Sequence, residues 1–149
     1  MSDRVSASIS IGGTVTLDQW AALLKLIEAE DLRTEWDGPA FTASTLLESS
    51  ALHLFTYEVP WGRFTQLEQY ACDERIAYRR WSGGYPGSFG PEIIVFNGSG
   101  KDGPLNYDAD EDERVVLHPE TIEQLGSMRA IRAYLKPAAF EPPPLIIAD

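Results

Sequence analysis

Cysteine is nearly absent from this chain. The single Cys72 among 149 residues excludes an internal disulfide and suits a reducing compartment. Histidine is almost as scarce. His53, His118 and Cys72 together fall short of the four ligands of a structural zinc site, so neither a metal nor a cofactor is expected. Basic residues are few as well: 12 Lys and Arg against 23 Asp and Glu give a net charge of −11. Such a chain repels nucleic-acid phosphates and anionic membrane surfaces, and it favours a protein partner with a basic surface. No run approaches the ~20 apolar residues of a membrane helix. MSDRVSASIS lacks the apolar stretch of a secretion signal. The expected location is therefore the cytoplasm.

Catalytic signatures are missing too. Gly12-Gly13 has neither the Walker nor the dinucleotide spacing. Ser82 lies in WSGG, outside a nucleophile elbow. Cys72 sits beside Asp73 and Glu74, whose charges raise a thiol pKa. Asp108, Asp110 and Asp112 match the first oxygen positions of a calcium loop, but Glu113 stands where the loop needs Gly and Pro119 where it needs a bidentate Glu. An enzyme is the less favoured reading.

What is present is a foldable chain. Its hydrophobic share of 44% and its length fit one domain, in which roughly 70% of the unfolded surface can be buried. VSASISI alternates as a strand, with Val5, Ala7, Ile9 and Ile11 on one face and serines on a partly wet one, and Gly12-Gly13 ends it. Thr16 and Gln19 form a capping box before a helix whose apolar stripe is Leu17, Trp20, Leu23, Leu24 and Ile27. DLRTEWDGPAF reads as irregular, and TASTLLESS as a short helical turn. ALHLFTYEV, apolar on both faces, predicts a central strand. A second helix over RFTQLEQYACDER, strands at IAYRRW and EIIVFN, a short strand at VVL and helices from Pro119 and Ser127 follow. Trp20, Leu24, Ile27, Leu54, Phe64, Leu67 and Ile94 are expected in one core. Two strand–helix–strand units predict parallel pairings, with the third and fourth strands antiparallel. The fold class is α+β: a two-layer sandwich with a mixed four- to five-stranded sheet and helices mainly on one face. Residues 1–136 form the domain, and the proline-rich arm 137–149 packs on it through Leu145 to Ile147.

The SISIGG opening, the GRFTQLEQY segment, YRRWSGG and the proline-rich arm resemble a group of small uncharacterised bacterial proteins. The resemblance implies a bacterial origin and carries over no catalytic residue.

Two segments stand out as candidate contact surfaces. RRWSGGYPGSFGPE is long for a hairpin loop, and it presents Arg80, Trp81, Tyr85 and Phe89 on a glycine-rich frame. DADEDE packs Asp108, Asp110, Glu111, Asp112 and Glu113 together, which costs mutual repulsion. These residues predict an acidic protein-interaction module, such as an inhibitor of the anti-defence or immunity type. The alternative is a small-molecule-binding or enzymatic domain that uses the open sheet face and the 81–91 loop, with Trp81, Tyr85, His53 and Tyr57 lining its pocket.

Overall fold

The computed structural model describes residues 4–34, 51–99 and 103–148. The turn expected at Asp37-Gly38-Pro39 and the helical turn in TASTLLESS lie outside them. Among the described residues, six strands and four α-helices follow in the order β1 (Arg4–Val15), α1 (Leu17–Ala29), β2 (Leu52–Pro60), α2 (Thr65–Asp73), β3 (Ala77–Ser82), β4 (Glu92–Phe96), β5 (Leu105–Asp108), α3 (Pro119–Leu125), α4 (Met128–Leu135) and β6 (Leu145–Ile147). A 3-10 turn at Lys136–Ala139 follows α4. The fold is α+β, built on an open sheet in the order β2-β1-β3-β4-β5, with β6 paired to β1.

The expected parallel pairings are not found. β1 pairs antiparallel with both β2 and β3. Since both neighbours oppose β1, they run parallel to each other with β1 between them. α2 carries the chain from Pro60, opposite Arg4, back to Ala77, opposite Gly12. The second strand–helix–strand unit thus has the expected direction, but β1 fills the gap between its strands, giving a split β-α-β. β3 and β4 are antiparallel, as expected. Among the described residues the one parallel pair is β6 on Gly13–Val15.

That pair explains why β1 runs past Gly12-Gly13 instead of ending there. The Gly13 amide donates to the Pro144 carbonyl and the Ala148 amide to the Val15 carbonyl. A Cβ at Gly12 would stand 1.7 Å from the Pro143 carbonyl oxygen, so only glycine admits the arm there. β2 is not central but ends the strand path. On its second face Phe55 is half-buried while His53 and Tyr57 are exposed, and on its outer edge the Phe55 backbone exchanges both hydrogen bonds with Arg33. The fifth strand lies at Leu105–Asp108, not at VVL; Val115 makes only an isolated bridge with Ala109. Asp108 disguised that strand, because charged residues are depleted in strands.

Alternation sorts the two sheet faces. Ala7, Ile9, Ile11, Leu52, Leu54, Tyr78 and Phe96 meet α1 and α2 in the main core with Trp20, Leu23, Ile27, Phe64 and Leu67. Leu24 and Ile94 are only partly buried at its edge, while Leu23 is fully buried. The second face is drier than the serines suggested. Ser8 is buried, and Trp81, Ile93, Val95, Tyr107 and Ala109 form a smaller cluster with Ala138 of the 3-10 turn. α3 and α4 bury no residue completely, and Ile122 and Met128 are exposed.

Candidate functional site

Arg80 and Trp81 are neighbours in sequence and point to opposite faces of β3, because successive strand residues alternate. Neither is the exposed contact residue expected from the loop. Arg80 is 1% exposed. Its Nε donates to Glu68 Oε1 at 2.9 Å, one terminal nitrogen donates to Ser82 Oγ at 2.8 Å, and the other to Glu92 Oε1 at 3.0 Å. The remaining carboxylate oxygens are also engaged: Glu68 Oε2 accepts from the Phe64 amide at 2.7 Å, and Glu92 Oε2 from Asn106 Nδ2 at 2.8 Å. Burial pushes the Glu68 carboxyl up, and the Arg80 charge and hydrogen bonds offset this only in part. Burial also pushes Glu92 up, but the Asn106 hydrogen bond, the contacts with Arg80 and the charge of Arg63 outweigh it, so Glu92 stays below the usual carboxylate range.

Trp81 is 7% exposed, and its Nε1 donates to the Asp110 carbonyl at 3.0 Å. This bond ties the aromatic loop to the acidic turn. A second tie runs from the Gly84 amide to Glu111 Oε1 at 2.9 Å. The acidic turn is itself ordered. The Asp110 carboxylate accepts from the amides of Asp112 and Arg114 and from Arg114 Nε. These bonds, led by the one from the Arg114 amide, hold the Asp110 carboxyl below its ordinary range. Glu113 has φ 64° and accepts from Ser8 Oγ at 3.4 Å. Asp112 reaches Arg114 at 3.2 Å and Asp108 reaches His118 at 3.3 Å; both carboxylates remain exposed. The two surfaces singled out from the sequence are thus one continuous region.

The loop between β3 and β4 is a small turn of its own. The Tyr85 amide donates to the Phe89 carbonyl and the Phe89 amide to the Tyr85 carbonyl. A Cβ at Gly84 would press to 2.8 Å from Pro91 Cδ, so glycine lets the loop close. Closure stacks the Tyr85 and Phe89 rings at 6.3 Å. Phe89 then meets Trp61 at 5.8 Å, which extends the pair to a row of three rings. Trp61 comes from the β2–α2 turn and is 51% exposed. Its φ is 58°, a left-handed conformation that costs a bulky residue on the order of 1–3 kcal/mol. Trp61 is absent from the contact surfaces expected from the sequence, because Pro60 and Gly62 on either side mark only a turn. A tryptophan placed inside a turn signal, with no apolar stripe to join, was the available clue.

Beside the row lies an open cleft of about 880 Å³. Glu30, Trp61, Arg63, Thr65, Phe89 and Glu92 contribute to its lining. Arg63 Nε stands 3.6 Å from Glu92. Burial, followed by repulsion from Glu68, pushes the Glu30 carboxyl up. The expected pocket residues Trp81, Tyr85, His53 and Tyr57 do not line this cleft. His53 shares a hydrogen bond with Ser10 on the second sheet face, away from Arg80, and desolvation lowers its pKa. Cys72 lies 3.8 Å from the Tyr78 hydroxyl, and burial, more than nearby charge, pushes its thiol up. Among the described residues no three His, Cys, Asp or Glu side chains converge as a metal site, and no helix is long and apolar enough to cross a membrane. No protein-family model, curated protein or solved structure matches the chain.

Proposed function

We propose that this chain is a protein-interaction module that grips a partner with a basic surface through the Tyr85–Phe89–Trp61 row and the adjoining acidic turn. One form of that role is an inhibitor that neutralises a basic protein. The observation carrying the reading is the hydrogen-bonded junction between loop and turn, Trp81 to Asp110 and Gly84 to Glu111. It fixes exposed rings beside exposed carboxylates on one surface. Rigid aromatics supply contact area at little entropic cost. Carboxylates around them speed encounter with a basic partner and add salt dependence. The strained Trp61 backbone fits the pattern in which such conformations cluster at functional sites.

The test is capture of a partner from the native host by the immobilised protein, followed by affinity measurement on the identified partner. Trp61→Ala and Tyr85→Ala should each raise the dissociation rate about tenfold or more, as anchor residues do. Native affinity in both variants would refute the module.

A further inference from the structure

We infer that the cleft beside the ring row is a socket for a guanidinium group, the arginine side chain of the proposed basic partner; this rests on the interaction-module reading above. The walls decide the chemistry. Trp61 and Phe89 line the cleft with their rings tilted 47° to each other. Aromatic faces attract cations, and the planar guanidinium stacks on them better than a compact, strongly hydrated ammonium. Glu30 lines the same cleft. Among the described residues no cation or hydrogen-bond donor meets its carboxylate, whereas Glu92 is already taken by Arg80, Asn106 and Arg63.

Glu30 is also the C-cap of α1, whose last turn holds no basic residue. The carbonyl end of a helix carries partial negative charge, so a carboxylate there is disfavoured until a cation arrives. An anion entering the cleft would meet that helix end and Glu30, with Arg63 already committed to Glu92. Both carboxylate oxygens of Glu30 can accept from one guanidinium in the bidentate geometry that ammonium lacks. Two aromatic rings and an unmatched carboxylate lining one cleft supply the cation–π and charge-assisted contacts that hold an arginine side chain.

The isotope-labelled full chain is titrated with N-acetyl-arginine amide, with N-acetyl-lysine amide and with acetate as separate probes. The arginine probe should shift the Trp61 indole N–H saturably, with a Kd on the order of millimolar for so small a ligand. The lysine probe should bind several-fold more weakly, and acetate should leave the cleft signals unmoved. Glu30→Gln, a change at a partly exposed helix end, should weaken the arginine probe about tenfold while the remaining spectrum stays native. No saturable shift, equal binding of lysine, a response to acetate, or an unaltered Kd in Glu30→Gln would each overturn the socket. Partner capture separates the two proposals. Loss of the arginine response with capture still dependent on Trp61 removes the socket and keeps the module. A full arginine response, with Trp61→Ala and Tyr85→Ala capturing the partner as well as the native chain, removes the module and the partner's arginine with it.

Discussion

Arg80 shows how far a residue's neighbours in space can differ from its neighbours in sequence. Beside Trp81 in a glycine-rich segment Arg80 reads as a contact residue, yet strand alternation sends it inward, where two carboxylates and a serine accept from its guanidinium. Glu68 and Glu92 each lie twelve positions away, so the network depends on the return of the chain through α2 and the β3–β4 loop. No local pattern could announce it. Arg80→Ala should cost about 3 kcal/mol, measured by urea unfolding, because it removes the buried cation that pairs two partly buried acids. Arg80→Lys should recover little, since an ammonium cannot reproduce the planar fork. The two carboxylates should differ with pH. Glu92 has a depressed folded pKa, so its stabilisation is present above the ordinary carboxylate range and is lost as pH falls through the depressed value. Glu68 has a raised folded pKa, so its contribution is complete at low pH and is lost as pH rises through the raised value. Glu92→Gln should therefore destabilise the protein more at pH 7 than Glu68→Gln. The Glu92→Gln deficit should shrink on acidification. Unfolding curves at two pH values check both statements, and equal, pH-independent losses would contradict them.

At the level of elements, what the sequence discloses follows the range of the interaction. The capping box at α1 is local and was readable: the Gln19 amide donates to Thr16 Oγ1 at 3.1 Å, and the Thr16 amide to Gln19 Oε1 at 2.9 Å. Thr16→Ala should cost about 1 kcal/mol. Of the expected α1 stripe, Trp20, Leu23 and Ile27 are buried, while Leu17 in the first turn is exposed. Leu23 is fully buried whereas Leu24 packs at the edge, so Leu23→Ala should cost about 2–5 kcal/mol and exceed Leu24→Ala in thermal unfolding. The antiparallel β3–β4 pair was legible, but the partners of β1, β2 and β6 were not. An apolar run reports burial, and burial alone does not separate β2 at the end of the strand path from a central strand. Nor does a pair of glycines reveal that β6 will lie against them. The contact with Pro143 gives a direct check on that placement. Gly12→Ala should destabilise the fold by about 1–3 kcal/mol through overcrowding and should expose the arm to limited proteolysis. A native melting temperature with a protected arm would show that the arm sits elsewhere.

The whole molecule carries −11, and its acidic turn concentrates part of that charge beside the aromatic row. Both candidate segments could be seen in the sequence as departures from ordinary loop composition. Their junction could not, since it needs β3 and the turn after β5 to meet through Trp81 and Gly84. Free duplex DNA should give no submicromolar gel shift at physiological salt, because self-repulsion of this size opposes phosphate contacts. The junction also separates carboxylates that hold the turn from carboxylates that face outward. Asp110 accepts from two amides and Arg114 Nε, and Glu111 holds Gly84. Replacing either would alter the turn itself, so a lost partner would be ambiguous. Asp108 and Asp112 are the discriminating pair. Their side chains are 64% and 79% exposed, and their ion pairs with His118 and Arg114 are surface contacts of small worth. Asp108→Asn with Asp112→Asn removes two negative charges and leaves the bonds to Trp81 and Gly84 intact. The melting temperature should stay the same or rise slightly as self-repulsion falls. Association with a basic partner should slow, and its dependence on salt should flatten, because outward carboxylates act on the encounter before contact. Dissociation should change little, in contrast to Trp61→Ala, which acts after contact. Stopped-flow association at low and high salt distinguishes these effects. An unchanged association rate in the double variant would leave the acidic turn as a brace for the aromatic loop, with no part in drawing a partner to it.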